Sequence, residues 1–249
     1  MKKQHLIALD LDGTLLTDQK EISPRTKKVL QKAVENGHIV VIATGRSHRS
    51  SLHYYHMLEL TTAMINFNGA FVHHPRDNKW RVFHNPLPKS TVLNVIDACF
   101  QLEVQNILVE SHQDIFINKH DQRIIDFLRV QKDDPFVKIG DIKNDLKDDP
   151  TLMLIYPEEE QVQELNKLFN EFHAEVLHYR NWGAPSHMIE IVKKGINKAI
   201  GLQKIAQYYD IPKERIIAFG DEDNDLEMID YAGVGVAMQN GIKDLKSIA

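Results

Sequence analysis

Short apolar segments alternate with amphipathic ones along most of this chain, and that alternation narrows its possible folds more than any other feature. Residues 5–11, HLIALDL, form an apolar run too short for a helix. Ser23 and Pro24 then supply a cap and a first-turn proline for a helix through Glu35, which Gly37 closes. Residues 38–45, HIVVIATG, read as a second strand and residues 47–58 as a second helix. MINFNGAFV, residues 64–72, is strand material broken at a glycine. The strands are rich in β-branched residues and lack polar alternation, as in a parallel sheet buried on both faces.

The texture changes after HNPLPKS, residues 84–90. A helix near 90–101 precedes QNILVES and DIFINK, which read as an antiparallel pair; TLMLIY, a helix near 158–172 and AEVLHY follow. The parallel rhythm resumes with MIEIV, a helix over 197–209, the strand RIIAFGD, a short helix near 223–230 and VGVAM. The expected fold class is therefore α/β. A core domain of residues 1–85 and 186–249 is interrupted by an α+β domain of residues 86–185.

Composition excludes several partners. The 249 residues are 43% hydrophobic and 26% charged with a net charge of -5, and the 30 Lys and Arg form no long run. Bulk electrostatics thus gives no attraction for nucleic acid or an anionic membrane. No apolar stretch approaches the roughly 20 residues needed to span a bilayer, and none at the start is long enough for a secretory signal. The lone cysteine, Cys99, fits a reducing compartment. These readings place the chain in the cytoplasm.

In an open parallel sheet, ligands bind outside the carboxyl ends of the strands. Four marked segments fall at such ends. Asp10 and Asp12 close the first strand, and residues two apart in an extended chain point the same way. Two adjacent carboxylates repel, so either one is raised in pKa or a cation joins them. Gly13 lets the backbone turn closely, and Thr14 offers a hydroxyl. The competing reading is an exposed Asp-rich turn that caps a helix. At the second strand end, Thr44, Gly45 and Arg46 combine a hydroxyl, a free N–H and a guanidinium, which suits an anion such as phosphate but is also common loop chemistry. Lys193 and Lys194 before Gly195 could neutralise that anion, although most such pairs are solvated surface. In FGDEDNDLEM, Asp221, Asp223 and Asp225 follow an apolar strand. A calcium loop is excluded there, because its sixth position is Leu226 instead of Gly and its twelfth is Ala232 instead of Glu. Asp221 is better read as completing one Mg²⁺ site with Asp10.

Other features carry less. His53 and His56 stand three residues apart on one helix, but without a Cys or supporting pattern they read as ordinary helical histidines. GVGVAM lacks the third glycine of a dinucleotide fingerprint and falls on the last strand. Trp80 and Trp182 read as packing or rim residues.

DLDGT, ATGR with Thr44, Lys194 before Gly195 and GDEDND, in this order, resemble the haloacid dehalogenase superfamily. NFNGA around Asn68 and VAMQN near the C-terminus resemble its Cof-type branch (subfamily IIB). Only 34 residues separate Asp10 from Thr44, against 150 between Thr44 and Lys194, so an inserted cap must lie in the second interval, as in that branch. The helical cap of β-phosphoglucomutase-like relatives has no room. Asp12, which the transport ATPases replace with Thr, favours water as the final acceptor.

The resemblance implies a Rossmann-like core and an α+β cap that selects substrate. It also implies a Mg²⁺-dependent phosphatase of sugar phosphates or similar small metabolites. In that scheme Asp10 attacks phosphorus, while Mg²⁺ is held by the Asp10 carboxylate, the Asp12 carbonyl and Asp221. Asp12 protonates the leaving alcohol and later deprotonates water, which calls for a raised pKa. Thr44, Gly45 and Lys194 hold the phosphoryl oxygens, Arg46 and Asn68 reach substrate, and Asn224 and Asp225 support the metal and Lys194. Relatives usually continue past VAMQN with a helix, a strand and a helix; all four motifs precede that point, so activity is expected to survive with lower stability. A second reading from another class is a non-catalytic binder of phosphorylated metabolites on the same fold.

Overall fold

The computed structural model describes residues 3–111, 114–128, 134–184 and 186–249. Within these the chain divides into two compact units, residues 1–84 with 196–249 and residues 85–195.

The first unit opens with β1 (Leu6–Leu9), α1 (Pro24–Glu35), β2 (Ile39–Ile42) and α2 (His48–Met57). The Ser23 hydroxyl accepts from the Thr26 N–H, and Pro24 sits where no intrahelical donor is needed, so α1 starts where its sequence says it should. Next come β3 (Met64–Asn66), β4 (Phe71–His73) and β5 (Phe83–His84). The last three pair antiparallel, and a parallel Ala43–Ile65 bridge, with the Thr44 N–H donating to the Ile65 carbonyl at 3.0 Å, ties them to the parallel strands. The third strand thus keeps the expected parallel direction beside β2 and then turns back into a hairpin. Phe67, Asn68 and Gly69, all at positive φ, turn the chain back at the glycine break.

The second unit contains α3 (Lys89–Gln101), β6 (Asn106–Glu110), β7 (Ile115–Ile117), α4 (Gln122–Leu128), β8 (Val137–Ile139), α5 (Ile142–Asp145), β9 (Leu152–Tyr156), α6 (Val162–Leu168), β10 (Leu177–Asn181) and β11 (Ile189–Lys193). Its sheet runs β10-β11-β9-β6-β7-β8, mostly antiparallel. Helix α3, with Val92, Val95, Ile96 and Cys99 inward, packs with Ile107, Val109, Met153, Ile155, Ile189 and Ile191 in a core of its own. β11 is the MIEIV segment. It pairs antiparallel with β9 and β10 and does not resume the parallel sheet, so the second unit extends ten residues beyond the expected boundary at 185.

The chain returns to the first unit through α7 (Lys198–Tyr208), β12 (Ile216–Gly220), α8 (Leu226–Tyr231), β13 (Val234–Ala237) and α9 (Lys243–Ile248). The parallel sheet runs β13-β12-β1-β2, with Ala8 in register with both Ala218 and Val41. Alternate residues feed two cores: Leu6, Ala8, Ile39 and Val41 face Leu202 and Ile205, whereas Leu9, Val40 and Ile42 face Leu30 and Tyr55. This two-sided burial is why these strands read as unbroken apolar runs. It also leaves their carboxyl ends as the place where polar side chains can gather. Among the described residues no helix is long and apolar enough to cross a membrane.

Candidate active site

Asp10 directly follows β1, Asp221 directly follows β12 and Thr44 stands two residues past β2, so three adjacent parallel strands bring residues to one edge. The Asp10 N–H donates to the Phe219 carbonyl at 3.1 Å, which extends the ladder one step past β1 and fixes the carboxylate at the rim. Asp10, Asp221 and Asp225 are all buried, and each offers a carboxylate oxygen within 4.8 Å of the others.

Among the described residues the cation in that cluster is Lys198. Its Nζ donates to Asp10 Oδ1 and to Asp225 Oδ1, both at 2.7 Å, and the side chain has no exposed surface. Burial alone would lower its pKa, but Asp10 and Asp225 reverse this and hold the ammonium form above its ordinary range. Asp225 is fully engaged: its other oxygen accepts the N–H groups of Asp221 and Glu222 at 2.9 and 3.2 Å. Asp221 accepts from the Thr14 hydroxyl at 2.7 Å and from the Asn240 amide at 3.1 Å. Burial raises its pKa against the Thr14 bond, with Asp225 and Glu222 adding to the push.

Gly13, at φ +80°, is what lets Asp221 come this close. A Cβ there would collide with the Asp221 carboxylate, and the backbone conformation is one that L side chains avoid.

Asp10 and Asp12 differ sharply. Burial pushes the Asp10 carboxyl up from 3.8 to about 7, against the pull of Lys198 and with help from Asp225. Burial also pushes Asp12 upward, but bonds from Arg46 and Lys20 outweigh it and hold the group at about 2. The Arg46 fork grips Asp12 through Nε and Nη2, both at 2.6 Å, and Lys20 Nζ adds a third contact at 2.7 Å. The raised pKa expected at Asp12 is therefore found at Asp10, because Asp12 is partly solvated and faces two cations.

The remaining site residues are placed as follows. The buried Thr44 hydroxyl accepts the Arg46 N–H at 3.1 Å. Gly45 passes so near Asn68 that a Cβ would lie 3.1 Å from its side-chain oxygen. Asn224 donates to that oxygen at 2.9 Å, which joins the GDEDND segment to the NFNGA turn. Lys194 belongs to the second unit. It is about half exposed, and its Nζ lies 4.0 Å from Glu175. The Lys193-Lys194-Gly195 segment ends an antiparallel strand of the second unit, so its carboxyl end is not a rim of the parallel sheet. Sequence reasoning missed Lys198, Lys20 and Asn240. Lys198 did leave a signal: it heads an i, i+3, i+4, i+7 stripe with Gly201, Leu202 and Ile205, where a lysine is out of place unless it is paired.

A hard-oxygen set of buried carboxylates suits Mg²⁺ better than a soft metal. Asp10 and Asp221 are the members that fit best as ligands, since Asp225 is already spent on Lys198 and two N–H groups. With a hydroxyl and backbone N–H groups at the next strand end, the edge defines a phosphoryl-transfer site on an open α/β sheet.

Comparisons with known proteins agree with that class. Residues 7–249 match the family model of the haloacid dehalogenase-like hydrolases. The chain is 50% identical over 247 residues to the 5-amino-6-(5-phospho-D-ribitylamino)uracil phosphatase YitU of Bacillus subtilis, covering 99% of this chain and 91% of the relative. A haloacid dehalogenase-like hydrolase from Bacteroides thetaiotaomicron superposes with a TM-score of 0.85 at 25% identity, over 99% of this chain and 92% of that one. The subclass IIB sugar phosphatase BT4131 shares the fold with a TM-score of 0.79 at 22% identity, over 99% and 92%. The chain belongs to the haloacid dehalogenase-like hydrolases, in their Cof-type branch, and is a phosphoric monoester hydrolase.

Proposed function

We propose that this enzyme is a Mg²⁺-dependent phosphatase whose substrate is the 5-phosphoribityl ester 5-amino-6-(5-phospho-D-ribitylamino)uracil, hydrolysed through an aspartyl-phosphate on Asp10. One observation carries the mechanism: a buried carboxylate at the end of β1 is held by a buried lysine within reach of two further carboxylates. Identity of 50% to a phosphatase named for that ester supports the substrate, which is a sugar-alcohol phosphate.

Asp10 attacks phosphorus with the oxygen that is not committed to Lys198. Lys198 keeps the attacking carboxylate in place and offsets its charge. Asp10, Asp221 and the Asp12 carbonyl would hold a Mg²⁺ ion, which when bound would supply charge neutralisation between nucleophile and phosphate. Thr44 and the Gly45 N–H receive phosphoryl oxygens, where transfer depends on positioning and charge stabilisation. In the resting arrangement Asp12 is ionised, the form that takes a proton from water when the aspartyl-phosphate is hydrolysed. To donate a proton to the leaving alcohol it must first be released by Arg46, for which the substrate phosphate competes, and take up a proton from solvent or from the phosphate monoester itself. The second unit, residues 85–195, serves as the cap that selects the leaving group, and the enzyme works in the cytoplasm.

The test is phosphate release from 5-amino-6-(5-phospho-D-ribitylamino)uracil beside a panel of hexose phosphates, flavin mononucleotide and pyridoxal phosphate. The ribityl ester is expected to give the highest kcat/KM, with turnover lost in EDTA and restored by Mg²⁺. Preference for another ester overturns the substrate, and full turnover in EDTA overturns the metal.

A further inference from the structure

Tyr54 lies in the middle of α2, fully buried, and none of the sequence motifs includes it. It nevertheless touches both cations that grip Asp12. Its hydroxyl donates to the Lys20 carbonyl at 2.9 Å, across 34 residues of sequence. Its ring lies beneath the Arg46 guanidinium, with the central carbon 5.4 Å from the ring centroid.

The bond to Lys20 matters because of how Lys20 is built. Its φ is +60°, a conformation that a non-glycine residue keeps only when its surroundings enforce it. The turn around it is closed by the Lys20 N–H to the Thr17 carbonyl at 2.8 Å and the Thr17 N–H to the Glu21 carbonyl at 2.9 Å. Those bonds tie the turn to itself. The Tyr54 hydroxyl ties it to α2, the helix that follows the Arg46 loop. A long, half-exposed lysine would otherwise sample many rotamers, and an exposed ion pair alone is a weak restraint. Here the backbone is aimed first, and Nζ lands 2.7 Å from Asp12.

We propose that Tyr54 is a positioning residue for the acid–base carboxylate. It fixes Lys20 through its hydroxyl and supports Arg46 through its ring, so that Asp12 is held from two sides in one orientation. This rests on the reading of Asp12 as the group that exchanges protons with leaving alcohol and water. Tyr54 itself touches no reacting atom.

Tyr54→Phe removes one oxygen and keeps the packing and the ring under Arg46, so it takes away the hydroxyl's bond to Lys20 together with its polar interaction with the guanidinium. It is expected to lower kcat on a phosphoribityl ester by about tenfold, since small misplacements of a catalytic group cost one to two decades, with KM unchanged. Lys20→Met should cost a similar amount, and the double variant should cost less than the product of the two single losses, because the Tyr54 hydroxyl acts on Asp12 partly through Lys20. Losses that multiply, or a rise in KM with unchanged kcat, would overturn the assignment. A crystal structure of Tyr54→Phe gives an outcome independent of turnover. Lys20 Nζ should leave Asp12, and finding it still bonded there would overturn the proposal whether or not the proposed substrate and mechanism hold. Wild-type enzyme inactive on every ester, together with a displaced Lys20, would instead refute the functional reading and leave the positioning role standing.

Discussion

Asp10 and Asp12 are separated by one residue, yet they occupy opposite electrostatic regimes. Asp10 is sealed in the rim of the sheet with one lysine and two other carboxylates, and its pKa climbs to about 7. Asp12 has 40% of its side chain in solvent, meets two cations and no described carboxylate partner, and falls to about 2. Chemical identity and sequence position are nearly the same in the two cases. What differs is how much water each has lost and which charges replaced it. The buried side depends on Lys198 for its integrity, whereas the exposed side has spare cations.

The comparison breaks most visibly at Lys198. Lys198→Met would leave Asp10 and Asp225 buried without their counter-ion, and removing one partner of such a network costs about 3–5 kcal/mol. Urea denaturation in EDTA should show a loss of this size, and Mg²⁺ should recover part of it. An unchanged midpoint would mean that the buried cluster tolerates its own charge.

The two aspartates should also pull stability in opposite directions as pH changes. Asp10 binds its proton more tightly when folded, so its contribution is complete below about pH 4 and is lost as pH rises toward 7. Asp12 binds its proton less tightly when folded, so its contribution is present above about pH 4 and is lost as pH falls toward 2. In metal-free buffer, Asp10→Asn should flatten the decline between pH 4 and 7, and Asp12→Asn should flatten the rise between pH 2 and 4. The Asp12 effect should be the smaller, since its partly exposed pairs are screened. Equal pH profiles for wild type and both variants would contradict the assignment.

The smallest effect is expected at Lys194. Lys194→Met should change stability by less than about 0.5 kcal/mol, in keeping with its exposed position and loose pair with Glu175. It should also leave kcat/KM unchanged, in contrast to Lys198→Met. A large loss of turnover would restore the sequence-based choice.

That choice shows where the sequence is readable. β1, β2 and β12 announce themselves because a parallel strand buried on both faces is an unbroken apolar run, and the Asp residues that end them are just as plain. β11 is as deeply buried from Ile189 to Val192, although Glu190 interrupts its apolar run, but it is antiparallel and belongs to the other unit. An apolar run reports burial and says nothing of strand direction. The misread strand moved the domain boundary and drew attention to Lys194, at its end, when the paired lysine was four residues on. Asp10, Asp221 and Asp225 lay in compact local motifs. Lys20 and Tyr54 did not: their contact spans 34 residues and depends on a turn with positive φ at a lysine, which no local pattern announces.

The central claim is that the sealed carboxylate, and not its solvated neighbour, takes the phosphoryl group. Quenching the enzyme during turnover with borohydride reduces an acyl phosphate to the corresponding alcohol, and peptide mass spectrometry then locates it. Homoserine in place of Asp10, with Asp12 intact, is the predicted result. Homoserine at position 12, or steady turnover with neither residue modified, would contradict it.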